Sequence, residues 1–243
     1  MARATIIFLA TSAILFEGFI CVLFFMPIYY LPILVYYTIE AHFEKRREGR
    51  DRSKLRASVL PLFLAFLSLE GLSPSTSFER QNSVTRTMII EADIVALKSD
   101  MALPIDLPKR SSLFLVIFPR PIDAKAGSLN PGDVHTLDFE YKRWFFTNTH
   151  RGEFHLRLDE VGDDYIKTSV VKNTSYLAKY LKVNGTEVRF TALSDHTTRV
   201  ELTIHYDCLL DPAWHFGPMQ KYAIQESGDY LLSSVIAREL NHE

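Results

Sequence analysis

The stretch from Ile6 to Thr38 constrains this chain most: IIFLATSAILFEGFICVLFFMPIYYLPILVYYT is apolar throughout except for a single carboxylate, Glu17. A helix rises about 1.5 Å per residue, so roughly 20 residues cross a hydrocarbon core of about 30 Å, and this run exceeds that length. It is expected to anchor the chain in a bilayer. A cleaved secretory leader fits less well, because its apolar core is only about 7–15 residues long and ends at a small-residue cleavage site. Pro27 and Pro32 lie inside the run, where each removes a helix hydrogen bond, so a kinked helix is expected. Tyr29, Tyr30, Tyr36 and Tyr37 suit the membrane interface beyond it.

Residues 44–56, EKRREGRDRSKLR, carry seven basic and three acidic side chains. Short loops rich in Lys and Arg stay cytoplasmic, and such a loop can also meet anionic head groups. A second apolar segment, Ala57–Leu69, is shorter than a comfortable span and closes at Glu70. It either crosses, with help from flanking residues up to Leu72, or lies in the interface. Two spans put the distal part of the chain outside the cytoplasm; one span leaves it inside. The organisation read from these features is a membrane region over 1–72, a polar linker over 73–83 (SPSTSFERQNS from Ser73) and a separate domain over 84–243.

Residues 1–80 hold nine basic and seven acidic side chains, so with a whole-chain charge of −2 the remainder carries −4. An acidic distal domain lacks the basic face of a nucleic-acid binder, and nucleic acid is not an expected partner. Cys21 and Cys208 are the only cysteines, too few for a disulfide framework or a zinc-type cluster. No cofactor is expected.

The distal domain is patterned as sheet. Thr85–Ala92 suits a first strand, Asn130-Pro131-Gly132-Asp133 a turn, and Val134–Tyr141 the next strand. The apolar run 112–121 cannot be assigned to helix or strand by periodicity alone. Glu153–Glu160 and Tyr165–Val171 read as one hairpin, Glu187–Leu193 and Thr198–Cys208 as another. In the last strand Val200, Leu202, Ile204, Tyr206 and Cys208 share one face, and Glu201, Thr203, His205 and Asp207 share the other, as in antiparallel sheets with one wet side. A final helix follows Asp211–Pro218 and ends near Leu240, with Met219, Tyr222, Ala223, Tyr230, Leu231, Val235 and Ile236 on its apolar side.

This order, a strand, a short irregular helical region, antiparallel hairpins and one long C-terminal helix, resembles the START-like (SRPBCC) superfamily. The chain is also similar to bacterial membrane proteins that join an N-terminal hydrophobic region to a polyketide cyclase/dehydrase-like domain. The matching stretches are Glu17-Gly18-Phe19-Ile20-Cys21 with Met26-Pro27-Ile28, and Leu210-Asp211-Pro212-Ala213-Trp214-His215-Phe216-Gly217-Pro218. The resemblance implies an α+β helix-grip fold, a curved antiparallel sheet around the last helix enclosing an apolar ligand cavity, and a bacterial inner-membrane location. Fold does not determine activity, so three functions stay open. They are a membrane-anchored binding module for a lipid or other hydrophobic small molecule, a cyclase/dehydrase-type enzyme, and a partner-binding protein with a vestigial cavity.

If sheet and helix converge as the resemblance implies, Phe190, Leu202, Ile204, Tyr206, Tyr222 and Tyr230 are the ligand-lining candidates, with Tyr206 and Tyr222 offering orienting hydroxyls. Glu17 and Cys21 share one helix face at i and i+4, and a carboxylate at membrane depth is a polar candidate by its insertion cost of roughly 2.5–3.5 kcal/mol. His150, Glu153 and His155 have poor spacing for a metal, since strand positions five apart face opposite sides. His205 and Asp207 have no nucleophile elbow to serve, and no catalytic residue is assigned. The sequons Asn173-Thr174-Ser175 and Asn184-Gly185-Thr186 read as turn chemistry.

Overall fold

The computed structural model describes residues 79–102, 114–125, 127–144 and 147–236, together with Met26, Pro27, Tyr30, Leu34, Tyr37 and Glu70. Two compact units divide the chain, one of Met1–Phe78 with Asp211–Trp214 and one of Glu79–Leu210 with His215–Glu243. In the first unit Glu70 Oε1 accepts the Ala213 N–H at 2.8 Å. No helix among the described residues is long and apolar enough to cross a membrane. Glu17, Cys21, the loop 44–56 and almost all of the two apolar segments lie outside the described residues.

The second unit is built on seven strands: β1 (Gln81–Ile90), β2 (Arg120–Lys125), β3 (Val134–Trp144), β4 (Thr147–Val161), β5 (Tyr165–Asn173), β6 (Leu181–Ser194) and β7 (Thr197–Cys208). They form one antiparallel sheet in the order β1-β7-β6-β5-β4-β3-β2. Helix α1 (Ile94–Met101) follows β1, and helix α2 (Ala213–Leu231) follows β7 and runs on into a π-helical turn, Leu232–Ile236. The sheet's inward face packs against α2 and the turn that follows it, the order of strands and C-terminal helix expected from the sequence.

Alternation decides which face of each strand is buried. On β7, Val200, Leu202, Ile204, Tyr206 and Cys208 are buried, while Glu201, Thr203, His205 and Asp207 are not, as expected from a period of two. The outward face carries ion pairs: Glu140 lies between Arg120 (3.7 Å) and Arg151 (3.3 Å), and Glu153 meets Lys172 at 2.6 Å. The inward face carries the core, with Val84, Ile166, Val188, Phe190, Val200, Leu202 and Ile204 packed against Ile224, Leu232 and Ile236.

The buried stripe of the helical segment differs from the sequence expectation. Phe216, Gln220, Ile224, Gly228, Leu232 and Ile236, each four residues apart, are buried, whereas Tyr222 is exposed and Met219, Ala223 and Tyr230 are only partly covered. Gln220 is accepted in this stripe because its Nε2 donates to Tyr180 O at 3.1 Å. Gly228 belongs there because a Cβ would come within 2.9 Å of Arg86 Cγ, so the helix backbone can approach β1 closely only without a side chain. Helix α2 also begins earlier than expected, at Ala213, and includes Pro218.

Other boundaries shift for local reasons. β1 starts at Gln81, inside the stretch read as linker. Helix α1 stands in the place of the short irregular helical region expected after the first strand and is regular; it starts from Asp93, whose Oδ1 accepts the Ala96 N–H at 2.8 Å. The apolar run before β2 contains a short 3-10 turn, Leu115–Ile117. Asn130–Asp133 does form a turn, with Gly132 at φ 97° and Asp133 N–H bonded to Asn130 O at 3.1 Å. Asn173 makes the expected turn contact, accepting from Ser175 N–H at 3.0 Å, but Asn184-Gly185-Thr186 is not a turn and lies inside β6.

Candidate functional site

The inward face of the sheet has two different halves. Over β1, β7 and β6 it is sealed: Phe190, Leu202, Ile204 and Tyr206 are between 1% and 4% exposed and belong to the packed core. Four of the six expected lining residues are thus brought together. Tyr222 stands apart, 47% exposed, with its ring edge against Phe114 at 4.8 Å and its hydroxyl bonded to Glu226, which raises its pKa. Tyr230 is only partly buried on α2.

Over β3 and the parts of β4 and β5 beyond Leu158 and Ile166, which are themselves 2% exposed, the same face is only partly covered. Leu137, Phe139, Phe154, Leu156 and Val170 are cross-strand or diagonal neighbours and keep part of their surface exposed. Phe139 and Phe154 meet edge to face, with ring centroids 6.3 Å apart. At the end of this strip Tyr141 stacks on Tyr176 at 4.4 Å, and the Tyr180 hydroxyl donates to the Tyr176 hydroxyl at 3.2 Å. None of these strip residues was picked out from sequence; Phe139, Tyr141 and Phe154 look like ordinary strand aromatics until the register shows which neighbours they have.

Polar groups on the inward face are few. Arg86, inward on β1, gives Nε and Nη2 to Asp229 Oδ1 and Oδ2 of α2, each at 2.6 Å. That bidentate contact holds the guanidinium pKa above its ordinary value. Thr168 and Thr186 face each other across β5 and β6 with hydroxyls 2.8 Å apart. Burial pushes the Tyr206 phenol up to about 12 and also raises the Cys208 thiol, so both stay protonated at neutral pH.

The histidines do other work. His150 bonds Thr174 O at 3.0 Å, whereas His155 bonds Glu153 Oε2 at 3.1 Å on the outward face. Among the described residues no group of His, Cys, Asp or Glu could hold a metal ion. The depressed carboxylates, Asp133, Glu153 and Asp159, owe their shifts chiefly to hydrogen bonds from Ser128, Lys172 and Arg157. His205 is exposed and Asp207 lies beside Asn184 and Lys182, so the outward end of β7 is a solvated polar surface.

No protein-family model matches the sequence, and no curated protein does. Solved structures do align with it. One is a START superfamily protein from Mycobacterium smegmatis, 14% identical over 64% of this chain and 95% of its own, with a TM-score of 0.42. Another is the Zhui aromatase/cyclase from a Streptomyces species, 14% identical over 67% of this chain and 97% of its own, TM-score 0.42. A third is truncated norcoclaurine synthase from Thalictrum flavum, 12% identical over 69% of this chain and 98% of its own, TM-score 0.44.

Proposed function

We propose that the domain binds a hydrophobic small molecule on the inward face of β3, β4 and β5, and that the apolar segments 6–38 and 57–72 hold it at a membrane. The observation that carries the binding reading is the contrast within one face: β1, β7 and β6 are sealed by helix packing, while Leu137, Phe139, Phe154, Leu156 and Val170 remain partly uncovered. Apolar side chains left at a concave surface beside a few polar groups are what small-molecule sites are made of. The length of the Ile6–Thr38 run supports the anchor, and the basic loop 44–56 supports its cytoplasmic placement.

The cyclase/dehydrase reading requires an acid or base in the site with a pKa moved toward neutrality. The shifted carboxylates described above are lowered and face outward, and the inward phenol of Tyr206 is raised. Binding therefore has the stronger support.

Mass spectrometry of the full chain purified without denaturation tests the reading. A co-purifying apolar compound, lost from a Phe154→Asp variant that still folds, is the expected result; wild-type protein that carries none and takes up no apolar probe would overturn it. Extraction of membranes at alkaline pH tests the anchor, which predicts that the chain stays with the lipid.

A further inference from the structure

The sheet ends in two edges of opposite character. β2 is six residues long, contains Pro121, shifts register between Pro121 and Asp123, and carries Arg120 and Lys125, whose side chains are 65% and 70% exposed. Prolines, bulges and exposed charges are the usual means by which an edge strand is kept from pairing with another chain. β1 has none of them. It runs ten residues from Gln81 to Ile90 and pairs with β7 without a register shift.

Which of its main-chain groups stay free follows from the ladder. The Cys208 N–H donates to Arg80 O at 2.9 Å, so Arg80 faces Cys208 as a hydrogen-bonded pair. Such pairs alternate along antiparallel strands, so Asn82, Val84, Arg86, Met88 and Ile90 turn their N–H and C=O toward β7. Gln81, Ser83, Thr85, Thr87 and Ile89 turn theirs to the open edge, and all five residues are exposed. Among the described residues no other main-chain group pairs with them. None of the five carries a charge. The one charged residue of the strand, Arg86, is on the inward face and is engaged by both oxygens of Asp229.

These five positions are symmetric about Thr85. With a second β1 laid antiparallel across a two-fold axis at Thr85, Thr85 meets Thr85, Ser83 meets Thr87 and Gln81 meets Ile89, and every free N–H finds a free C=O. On the inward face the same axis sets Arg86 against Val84, so no like charges are opposed. An unrelated extended peptide would gain the same main-chain bonds, but the small hydroxyl side chains of Ser83, Thr85 and Thr87 give it little to be selected by.

We propose that β1 is a dimer interface, at which two copies of this chain join edge to edge, antiparallel and centred on Thr85, so that their sheets continue into one. The strip on β3, β4 and β5 lies toward the opposite edge of the sheet, so pairing and ligand binding are separate properties.

Cysteine cross-linking of the full chain in mild detergent tests the register, in a Cys21→Ser background that retains the buried Cys208. A short bifunctional maleimide should link copies carrying Thr85→Cys and should join Gln81→Cys to Ile89→Cys in a mixed sample. Gln81→Cys alone and Ile89→Cys alone should stay unlinked, because each then lies about 27 Å from its own mate. Light scattering should give the protein mass of two chains for wild type and of one chain for Thr85→Lys, which opposes two lysines at the axis. Mixing Thr85→Lys with Thr85→Glu should restore the pair. Thr87→Pro, which removes a free N–H and no bond to β7, should weaken pairing by about tenfold or more. A monomeric wild type would overturn the proposal, whatever else binds the edge. So would a dimer that persists in Thr85→Lys, or one that links at Gln81→Cys alone as strongly as at Thr85→Cys.

Discussion

Arg86 and Asp229 form a two-pronged ion pair, 2.6 Å at each prong, that fastens the edge strand β1 to the C-terminal half of α2. The side chains are 37% and 45% exposed, so solvent screens much of the attraction. A double-mutant cycle with Arg86→Met and Asp229→Asn should therefore return a coupling on the order of 1 kcal/mol in chemical denaturation, reduced in high salt. A coupling near zero would show that the pair only follows the packing around Gly228.

Gly185 offers a sharper test of the sheet. A Cβ placed there would collide with the backbone carbonyl of Thr168, because β5 and β6 approach closely where β6 carries its extra residue. Gly185→Ala is expected to cost about 2 kcal/mol or more, since backbone cannot move aside as a side-chain tip can. Thermal unfolding measures the loss, and amide exchange should show it concentrated in the Thr168–Thr186 pairing.

Thr198 is fully buried, at 0% exposure, and its hydroxyl donates to Ala92 O at 2.7 Å, tying the start of β7 to the turn between β1 and α1. Thr198→Val keeps the shape and strands that carbonyl. We expect a loss of about 1–2 kcal/mol with native secondary structure retained by circular dichroism.

Stability should fall at both ends of the pH scale. The carboxyls of Asp133, Glu153 and Asp159 lie below their ordinary values, so their contribution is complete above the ordinary carboxylate range and is lost as pH drops through the depressed values. Lys172→Met should soften the acid limb by releasing Glu153. At the alkaline end the sign reverses. The unfolded phenol of Tyr206 ionises near its ordinary pKa of 10.0 but the folded one only near about 12, so stability declines through that window. Ultraviolet titration of tyrosinate should show a late component that is absent from Tyr206→Phe.

Much of the sheet could be read directly from residues. The alternation from Val200 to Cys208 identified both faces of β7, and the polar breaks at Gly162–Asp164 and Asp195–His196 marked two hairpin loops. What could not be read has physical causes. β2 buries only Ala124 and contains Pro121, so an edge strand left no pattern to find. Asn184-Gly185 has the composition of a turn but occupies the middle of a strand, where only the close approach of Thr168 explains the glycine. The buried stripe of α2 includes Gln220 and Gly228, which no hydrophobicity pattern selects, and that rotation moved Tyr222 out to solvent. Thr168 and Thr186 did leave a trace, since each continues the inward phase of its strand, Thr168 with Ile166 and Thr186 with Val188 and Phe190.

The register shifts have a further consequence. Ile122 on β2, Asp159 on β4, Val171 on β5, and Asn184 and Leu193 on β6 are each one residue more than the partner strand supplies. Each surplus residue resets the alternation, so the inside and outside of a strand exchange parity at that point. The curvature of the domain is consequently encoded in the count of residues between turns and is largely indifferent to their identity. Conservative exchange along these strands should be well tolerated over long evolutionary times, while deletion of a surplus residue such as Val171 would keep the pairs on either side and remove the local bend. Divergence in sequence with constancy of spacing is the pattern such a sheet permits.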